Sequence, residues 1–159
     1  MSEEREELEL RAWRGFLRAH GLVMRTLDSE LNAERTLGLS SYEVLLMLAW
    51  APGRALRMSE LADRVLLSRS GTTRLVDGLV AKGLVERRRC PSDARGYLAV
   101  LTEEGLGRLR DAAPVHLRGV REHFSGPLSK TQLEAVAEAM EAIIQSRPLL
   151  EVGQRSSRT

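Results

Sequence analysis

The chain has 159 residues, of which 43% are hydrophobic and 29% are charged, and this is the composition of a folded globular protein. No apolar run approaches the ~20 residues needed to span a bilayer, and the first residues are acidic where a signal peptide would be basic. The composition therefore argues against a membrane protein or a secreted protein and predicts a cytoplasmic one. A lone cysteine, Cys90, excludes an intramolecular disulfide.

Positive charge is concentrated in the middle of the chain. The formal net charge is only +2, yet residues 57–95 contain nine basic and five acidic side chains, an excess of four. A local excess of cations is expected of a module that binds phosphate groups. An ordinary solvated surface can carry the same excess, so the decision rests on the motifs in this segment.

The N-terminal segment predicts one long amphipathic helix. Its apolar residues recur at alternating steps of three and four, which is the spacing of one helix face. They are Leu10, Trp13, Leu17, Met24, Leu27 and Leu31, with Phe16 at the edge of the same face, and His20 interrupts this stripe between Leu17 and Met24. A single helix cannot bury such a stripe, so the pattern predicts a partner helix or a second chain.

The next segment predicts short helices separated by tight turns. Ser40 followed by Glu43 has the spacing of a capping box, and Ser59 and Ser68 suit the N-caps of two further helices. Two short helices joined by a tight turn make a helix-turn-helix candidate.

The periodicity changes after Gly83, which suits a left-handed C-terminal helix cap. Residues 84–90 and 97–101 have strand-like patterns, and a six-residue polar loop joins them. Such a loop is too long for a two-residue hairpin turn and would project as a wing. The sequence thus predicts a mainly α fold with a small β-hairpin wing, a winged helix-turn-helix.

Two more helices are predicted after the hairpin. The first begins near Thr102 and contains Pro114 as a candidate kink, and the second begins at a capping box formed by Ser129 and Gln132. Residues 149–159 are predicted to form a flexible tail, whose last residues, 155–159, are all polar.

The second helix of the pair carries side chains that suit DNA recognition. Short polar and long cationic residues in its N-terminal half can reach base edges and phosphates. These candidates are Ser68, Arg69, Ser70, Thr72, Thr73 and Arg74. Arg74 is the best base-contacting candidate, because a guanidinium pairs bidentately with guanine in the major groove. A capped surface helix with a solvated arginine is the alternative.

Arginines also follow the predicted wing. Arg87, Arg88 and Arg89 lie along its first strand, and we take Arg88 as a further candidate DNA contact. Arg95 lies in the loop, where a protruding guanidinium can enter a narrow minor groove. Asp93 is expected to orient the loop or to pair with a basic neighbour.

Residues 58–105 resemble the core of the MarR family, the multiple-antibiotic-resistance regulators. The similar elements are the pair Leu61 and Ala62 in the first short helix, the sequence RLVD at residues 74–77 and the sequence GLVER at residues 83–87. They continue with Asp93 and Arg95 in the wing and end with Leu101, Thr102 and Gly105 after it. The resemblance implies a homodimer that binds double-stranded DNA at a near-palindromic operator. Residues 1–36 and 103–148 would form the dimerisation helices, and residues 37–102 the winged DNA-binding lobe.

The same resemblance implies roles for individual residues. Arg74 would contact DNA from the recognition helix, and Arg95 would be the minor-groove arginine. Ala94 stands where many members have a second basic residue between the wing aspartate and arginine, so the minor-groove grip is expected to be weaker.

The resemblance also implies an effector pocket between the dimerisation helices and the winged lobe. Its candidate residues are Trp13, Phe16, His20 and Met24. This mixture of rings with a titratable group suits a small aromatic or phenolic effector. The alternatives are that Trp13 and Phe16 belong to a plain dimer core and that His20 is a hydrogen-bonded core histidine.

The sequence predicts no metal site, no cofactor and no enzyme. His116 and His123 are seven residues apart, but no cluster of carboxylates and histidines accompanies them in the sequence. There is also no nucleophile elbow, phosphate-cradling glycine loop or zinc-binding histidine pair. The leading interpretation is a ligand-responsive repressor. The alternative is a winged-helix protein-interaction module that does not read DNA.

Overall fold

The computed structural model describes residues 3–65, 68–91 and 93–146, and for residues 93–95 it describes the backbone alone. The described chain is mainly helical, with one small sheet. In chain order its elements are α1 (Glu3–Arg35), α2 (Leu39–Trp50), β1 (Ala55–Arg57), α3 (Met58–Arg64), α4 (Arg69–Ala81), β2 (Val85–Cys90), β3 (Asp93–Leu101), α5 (Glu103–Val120) and α6 (Lys130–Ser146). A 3-10 turn over Pro52–Arg54 precedes β1, and a π-helical turn over Arg121–Ser125 follows α5.

The sheet is antiparallel with strand order β1-β3-β2. In β2 and β3, Arg89 pairs with Tyr97, which confirms the predicted hairpin. Because β3 begins at Asp93, the connecting turn is shorter than the predicted six-residue loop. β1 was not predicted, since three residues with one buried side chain, Leu56, are too few to show a strand period. Among the described helices, none is long and apolar enough to cross a membrane.

Several predicted helix ends are confirmed. Ser68 caps α4, because its Oγ accepts a hydrogen bond from the Gly71 N–H at 3.1 Å. Ser129 and Gln132 form the reciprocal capping box at the start of α6. Gly83 has a φ of +73°, a left-handed backbone conformation. This conformation ends helix α4 and redirects the chain towards β2.

The predicted cap of α2 is wrong. The helix begins at Leu39, and the Leu39 N–H donates to the carboxylate of Asp28 in α1 at 2.8 Å. Ser40 therefore lies inside the helix and does not form a capping box with Glu43. The cap comes from a residue that is distant in sequence, so local spacing could not reveal it.

The predicted cap of α3 is wrong by two residues. The helix begins at Met58, which leaves Ser59 inside its first turn. The Glu60 carboxylate accepts a hydrogen bond from the Arg57 N–H at 3.1 Å, so Arg57 occupies the cap position. At this helix end the hydrogen bond therefore involves an acidic side chain of the first turn and not the hydroxyl of Ser59.

The core joins the C-terminal end of α1 to α2, α3, α4, the sheet and α5. Along the 33 residues of α1, only Leu27 and Leu31 are buried in the described chain. The largest fully buried side chains elsewhere are Leu37, Leu45, Leu48, Leu61, Leu79, Val44, Val76, Val85 and Val115. The hydrophobic interior therefore holds α4 and the wing against the rest of the lobe, while the N-terminal part of α1 extends away from it.

Gly105 sets the closest approach between α5 and the sheet. A Cβ at this position would lie 2.1 Å from the Leu84 carbonyl oxygen and 2.8 Å from Leu101 Cδ1. Because a backbone carbonyl cannot rotate out of the way, we expect Gly105→Ala to lower the free energy of unfolding by at least about 2 kcal/mol in urea titrations. Gly107→Ala, in the same helix with open space around it, is the control and should be neutral or stabilising. Equal losses for the two variants would contradict this packing.

His116 of α5 packs against Tyr42 of α2, with ring centroids 4.5 Å apart. Its Nδ1 atom is buried and has no hydrogen-bond partner among the described residues. Burial lowers the pKa of His116 below its ordinary value of 6.5, because it disfavours the charged imidazolium. The same burial raises the pKa of the Tyr42 phenol.

These contacts predict a loss of stability in mild acid. The unfolded chain protonates its histidine at a higher pH than the folded chain does. The contribution of His116 is therefore intact above pH 6.5 and is lost as the pH falls below that value. We expect His116→Phe, which keeps the ring packing, to flatten the decline of unfolding free energy between about pH 7 and pH 5. Urea titrations over this range measure it, and an unchanged slope would count against a buried neutral imidazole.

Candidate nucleic-acid interface

Helix α4 has one buried face and one exposed face. Val76 and Leu79 are fully buried in the core. The exposed residues of its N-terminal half, together with the cap residue, are Ser68, Arg69, Ser70, Thr73 and Arg74. Their spacing places polar and cationic side chains along the solvent side of the helix.

Thr72 does not belong to this exposed set. Its side chain is 1% exposed, and its hydroxyl donates to the Ser68 carbonyl oxygen at 3.1 Å. The prediction that Thr72 contacts DNA is therefore wrong in this structure. Thr72 shares the buried face of α4 with Val76, where a small β-branched side chain fills space in the core.

The two arginines of α4 project without ionic neighbours. Within the described part of the chain, neither Arg69 nor Arg74 lies within 4 Å of a carboxylate oxygen. Both guanidinium groups are thus available to an anionic partner, and Arg74 lies one helical turn along the exposed face from Ser70.

Arg87 links the wing to α4. Its Nη2 atom lies 2.8 Å from the Asp77 carboxylate and 3.5 Å from the Thr73 carbonyl oxygen. Both partners are on α4, so this arginine fixes the orientation of the first wing strand relative to the helix. Its charge is shared with Asp77, and we assign it a positioning role.

Arg88 and Arg89 point to opposite sides of β2, because side chains alternate along a strand. Arg88 lies on the face shared with Glu86, whose carboxylate accepts its Nη2 hydrogen bond at 2.9 Å. Arg89 lies on the face shared with Arg87, which faces α4. The structure therefore makes Arg89, which the sequence analysis did not select, better placed beside α4 than Arg88. The period-two pattern of the strand was the signal that could have identified it.

A groove separates α4 from the wing. Its volume is about 370 Å³, and it is lined by residues of β1, α3, α4 and the hairpin: Arg57, Met58, Ser59, Thr73, Arg87, Gly96 and Tyr97. The cationic side chains of Arg57 and Arg87 and the hydroxyl groups of Ser59, Thr73 and Tyr97 give this groove the chemistry of a phosphate-binding surface. The side chain of Arg95, the predicted minor-groove contact, lies outside the described residues.

The predicted effector residues fall in a different place from the interface. Phe16, His20 and Met24 line an apolar cavity of about 700 Å³ between α1, the π-helical turn and α6. Trp13 does not line it, although its ring stacks on Phe16 with centroids 5.9 Å apart. The cavity lies within the helices outside the winged lobe, and not between those helices and the lobe as expected. Burial raises the pKa of the nearby Glu43 carboxyl, and His20 partly opposes this shift.

The expectation that no carboxylates accompany His123 is also wrong. Glu30 of α1 and Glu122 of the π-helical turn both lie beside its imidazole. The Glu30 Oε1 atom is 2.7 Å from His123 Nε2. His123 lies 93 positions after Glu30 in the chain, so the cluster could not be seen in the sequence.

Comparisons with known proteins agree with this architecture. A MarR family model matches residues 36–96. The crystal structure of Sco3205, a MarR family transcriptional regulator from Streptomyces coelicolor, in complex with DNA, is 34% identical, with a TM-score of 0.81 over 92% of this chain and 89% of that chain. The crystal structure of AbsC, a MarR family transcriptional regulator from Streptomyces coelicolor, is 33% identical, with a TM-score of 0.79 over 92% of this chain and 95% of that one.

Two curated proteins from Bacillus subtilis (strain 168) are similar over a shorter stretch. The HTH-type transcriptional regulator MhqR is 33% identical over 86 residues, which are 54% of this chain. The HTH-type transcriptional repressor YetL is 34% identical over 96 residues. The match spans 59% and 58% of the length of these two relatives. The shared winged lobe and the near-complete overlap with Sco3205 at 34% identity show that this chain belongs to the MarR family.

Proposed function

We propose that this protein is a cytoplasmic transcriptional regulator that binds double-stranded DNA sequence-specifically through α4 and the wing. The observation that carries the proposal is the exposed polar face of α4. On this face, neither Arg69 nor Arg74 forms an ion pair with a carboxylate in the described part of the chain. The wing stands beside this face, joined to it by the Asp77–Arg87 ion pair. A 34% identical relative, Sco3205, has been crystallised in complex with DNA, which supports the same use of the fold here.

The proposed binding mode places α4 in the major groove. Ser68, Arg69, Ser70 and Thr73 would contact the backbone and base edges, and Arg74 would reach a guanine. Arg89 and Arg95 would approach the adjacent phosphates and minor groove from the wing. Arg88 is assigned a lesser role because it pairs with Glu86 on the other face of β2.

The protein would act as a homodimer. The N-terminal part of α1 leaves Leu10, Trp13 and Leu17 about half exposed, and α6 does the same for Ile143 and Ile144. Apolar faces of this length on neighbouring helices fit a second copy of the same chain related by a two-fold axis. Such a dimer would present two α4 helices about 34 Å apart to a near-palindromic site of about 16–20 base pairs.

A small aromatic or phenolic effector would regulate the dimer by binding in the α1–α6 cavity. Phe16 and Met24 supply apolar walls, and His20 and His123 supply polar atoms. For release from DNA, the ligand must bind the DNA-free geometry more tightly than the DNA-bound one. We expect an aromatic carboxylate such as benzoate to weaken operator binding in the wild type, and Phe16→Ala to reduce this response.

The function is tested by a mobility shift with the intergenic DNA upstream of the protein's own gene. In the presence of excess random competitor duplex, a regulator should give a discrete shifted band. The same winged helix used only as a protein-interaction module should give none, and that outcome would overturn the proposal. Repression is expected if the shifted site overlaps a promoter, as the repressor YetL suggests by similarity.

The two wing arginines provide a graded test of the interface. We expect Arg89→Ala to make the logarithm of affinity less dependent on the logarithm of salt concentration by about one unit, because one phosphate contact is lost. Arg88→Ala is the matched control on the same strand, and its slope should change less because its guanidinium is held by Glu86. Fluorescence anisotropy over a salt series measures both slopes. A larger change for Arg88→Ala would place the duplex on the other face of the wing.

A further inference from the structure

The cluster at the junction of α1 and the π-helical turn has the make-up of a metal site. Glu30, Glu122 and His123 each offer one ligand atom, and these atoms lie within 4.8 Å of one another. His123 Nε2 is 2.7 Å from Glu30 Oε1 and 4.0 Å from Glu122 Oε2. In a tetrahedral zinc site, metal–ligand bonds of about 2.0–2.1 Å place the ligand atoms about 3.3 Å apart, between these two distances.

Helix α5 passes close to Glu30 at Gly119. A Cβ on Gly119 would lie 2.5 Å from Leu27 Cδ2 and 2.7 Å from Glu30 Oε2, so a larger residue there would displace the Leu27 and Glu30 side chains. Two residues later, the chain enters the π-helical turn that carries Glu122 and His123. Single π-helical turns inside helices occur frequently at functional sites.

Within the described chain, the Glu30 carboxylate is only partly satisfied, because His123 contacts its Oε1 atom and not its Oε2 atom. Glu30 Oε2 is buried and has no hydrogen-bond partner among the described residues. No lysine or arginine in the described chain forms an ion pair with Glu30 or Glu122, although the neighbouring Glu34 is paired with Arg118. A buried carboxylate oxygen without a partner is costly, and a bound cation would satisfy it.

We propose that Glu30, Glu122 and His123 bind a divalent transition-metal ion of the Zn²⁺ class, with water in the open fourth position. One imidazole and two carboxylates suit zinc, whereas magnesium and calcium prefer oxygen ligands alone. Glu122 has a largely exposed side chain and can move the short distance needed to close the site. The ion would tie α1 to the turn that leads into α6. This assignment does not depend on DNA binding.

The test uses the untagged full-length chain, stripped with a chelator and titrated with Zn²⁺ by calorimetry and with Co²⁺ by visible absorption. We expect one ion per chain and Co²⁺ d–d bands of a four- or five-coordinate site. Glu122→Gln should lower the affinity for both ions at least about tenfold, since even the loss of a residue that only hydrogen-bonds to a metal ligand lowers metal affinity by that much. His123→Gln should abolish the bands. Mg²⁺ in equal concentration should displace neither ion.

Glu138→Gln is the matched control for charge, because Glu138 is exposed on α6 and lies outside the cluster. Its affinities should equal those of the wild type. Glu122→Gln changes an exposed side chain, so its circular dichroism should match that of the wild type and its loss of binding cannot be assigned to unfolding. The absence of saturable binding by the wild type would overturn the proposal. Equal binding by wild type, Glu122→Gln and His123→Gln would overturn it as well, as would displacement by Mg²⁺.

Discussion

Replacing Arg74 with alanine is expected to lower affinity for operator DNA by about 1–3 kcal/mol per recognition helix, and to relax the preference for sequence. The Arg74 guanidinium lies on the exposed face of α4 and forms no ion pair within the described part of the chain. Helix α4 is itself held in place by Val76 and Leu79, which are buried in the core. Loss of the guanidinium should therefore remove a base contact without disturbing the fold. Anisotropy titrations with operator and with shuffled duplex measure the two affinities.

The control for this prediction is Arg110→Ala. Arg110 is exposed on α5 and has no ion pair among the described residues, so the variant removes the same charge from a surface outside α4 and the wing. Its affinity for operator should change by less than about 0.5 kcal/mol. If Arg74→Ala weakened operator and shuffled duplex equally, Arg74 would be a phosphate contact, and the proposed base-reading role would be wrong.

Trp13→Glu is expected to convert the dimer to monomers at micromolar concentration. Trp13 is 57% exposed in the single chain and lies in the apolar stripe of α1, so the charge would fall in the proposed dimer interface. Loss of one buried interface tryptophan costs at least about 2 kcal/mol. Because the two protomers are related by a two-fold axis, the substitution occurs twice in the interface. The combined loss of about 4 kcal/mol corresponds to a dimer dissociation constant that is roughly a thousandfold higher. Sedimentation equilibrium measures it, and operator affinity should fall with it.

Trp50→Glu is a matched control for the dimer prediction. Trp50 is 76% exposed at the end of α2 and lies outside the apolar faces of α1 and α6. The variant places the same charge on the same type of residue, so it should sediment as the wild type does. If Trp13→Glu left the mass unchanged, the exposed stripe of α1 would have to be covered in another way.

Local patterns in the sequence were sufficient for much of the fold. The polar cap at Ser68, the left-handed Gly83 and the change of period in the hairpin all depend on neighbouring residues, and the structure confirms each. The prediction of the α2 cap was wrong because the group that accepts the Leu39 N–H is the carboxylate of Asp28, which lies in another helix. β1 was missed because three residues cannot show a period.

Site residues were harder to predict, since exposure depends on packing. Thr72 and Thr73 are neighbours of the same type, yet Thr72 is buried and Thr73 is exposed. Strand alternation would have separated Arg88 from Arg89, had the pairing register been known. The cluster around His123 depends on contact between Glu30 and a residue ninety-three positions later, and only the fold brings them together.

Methylation interference on the upstream operator tests most directly the claim that α4 reads bases in the major groove. Methylation of guanine N7 should block wild-type binding at one or more guanines in each half-site, about one helical turn apart. The same modifications should no longer matter for Arg74→Ala, which lacks the side chain proposed to contact that atom. Identical interference patterns for the two proteins, or no interfering guanine for the wild type, would contradict this account of DNA recognition.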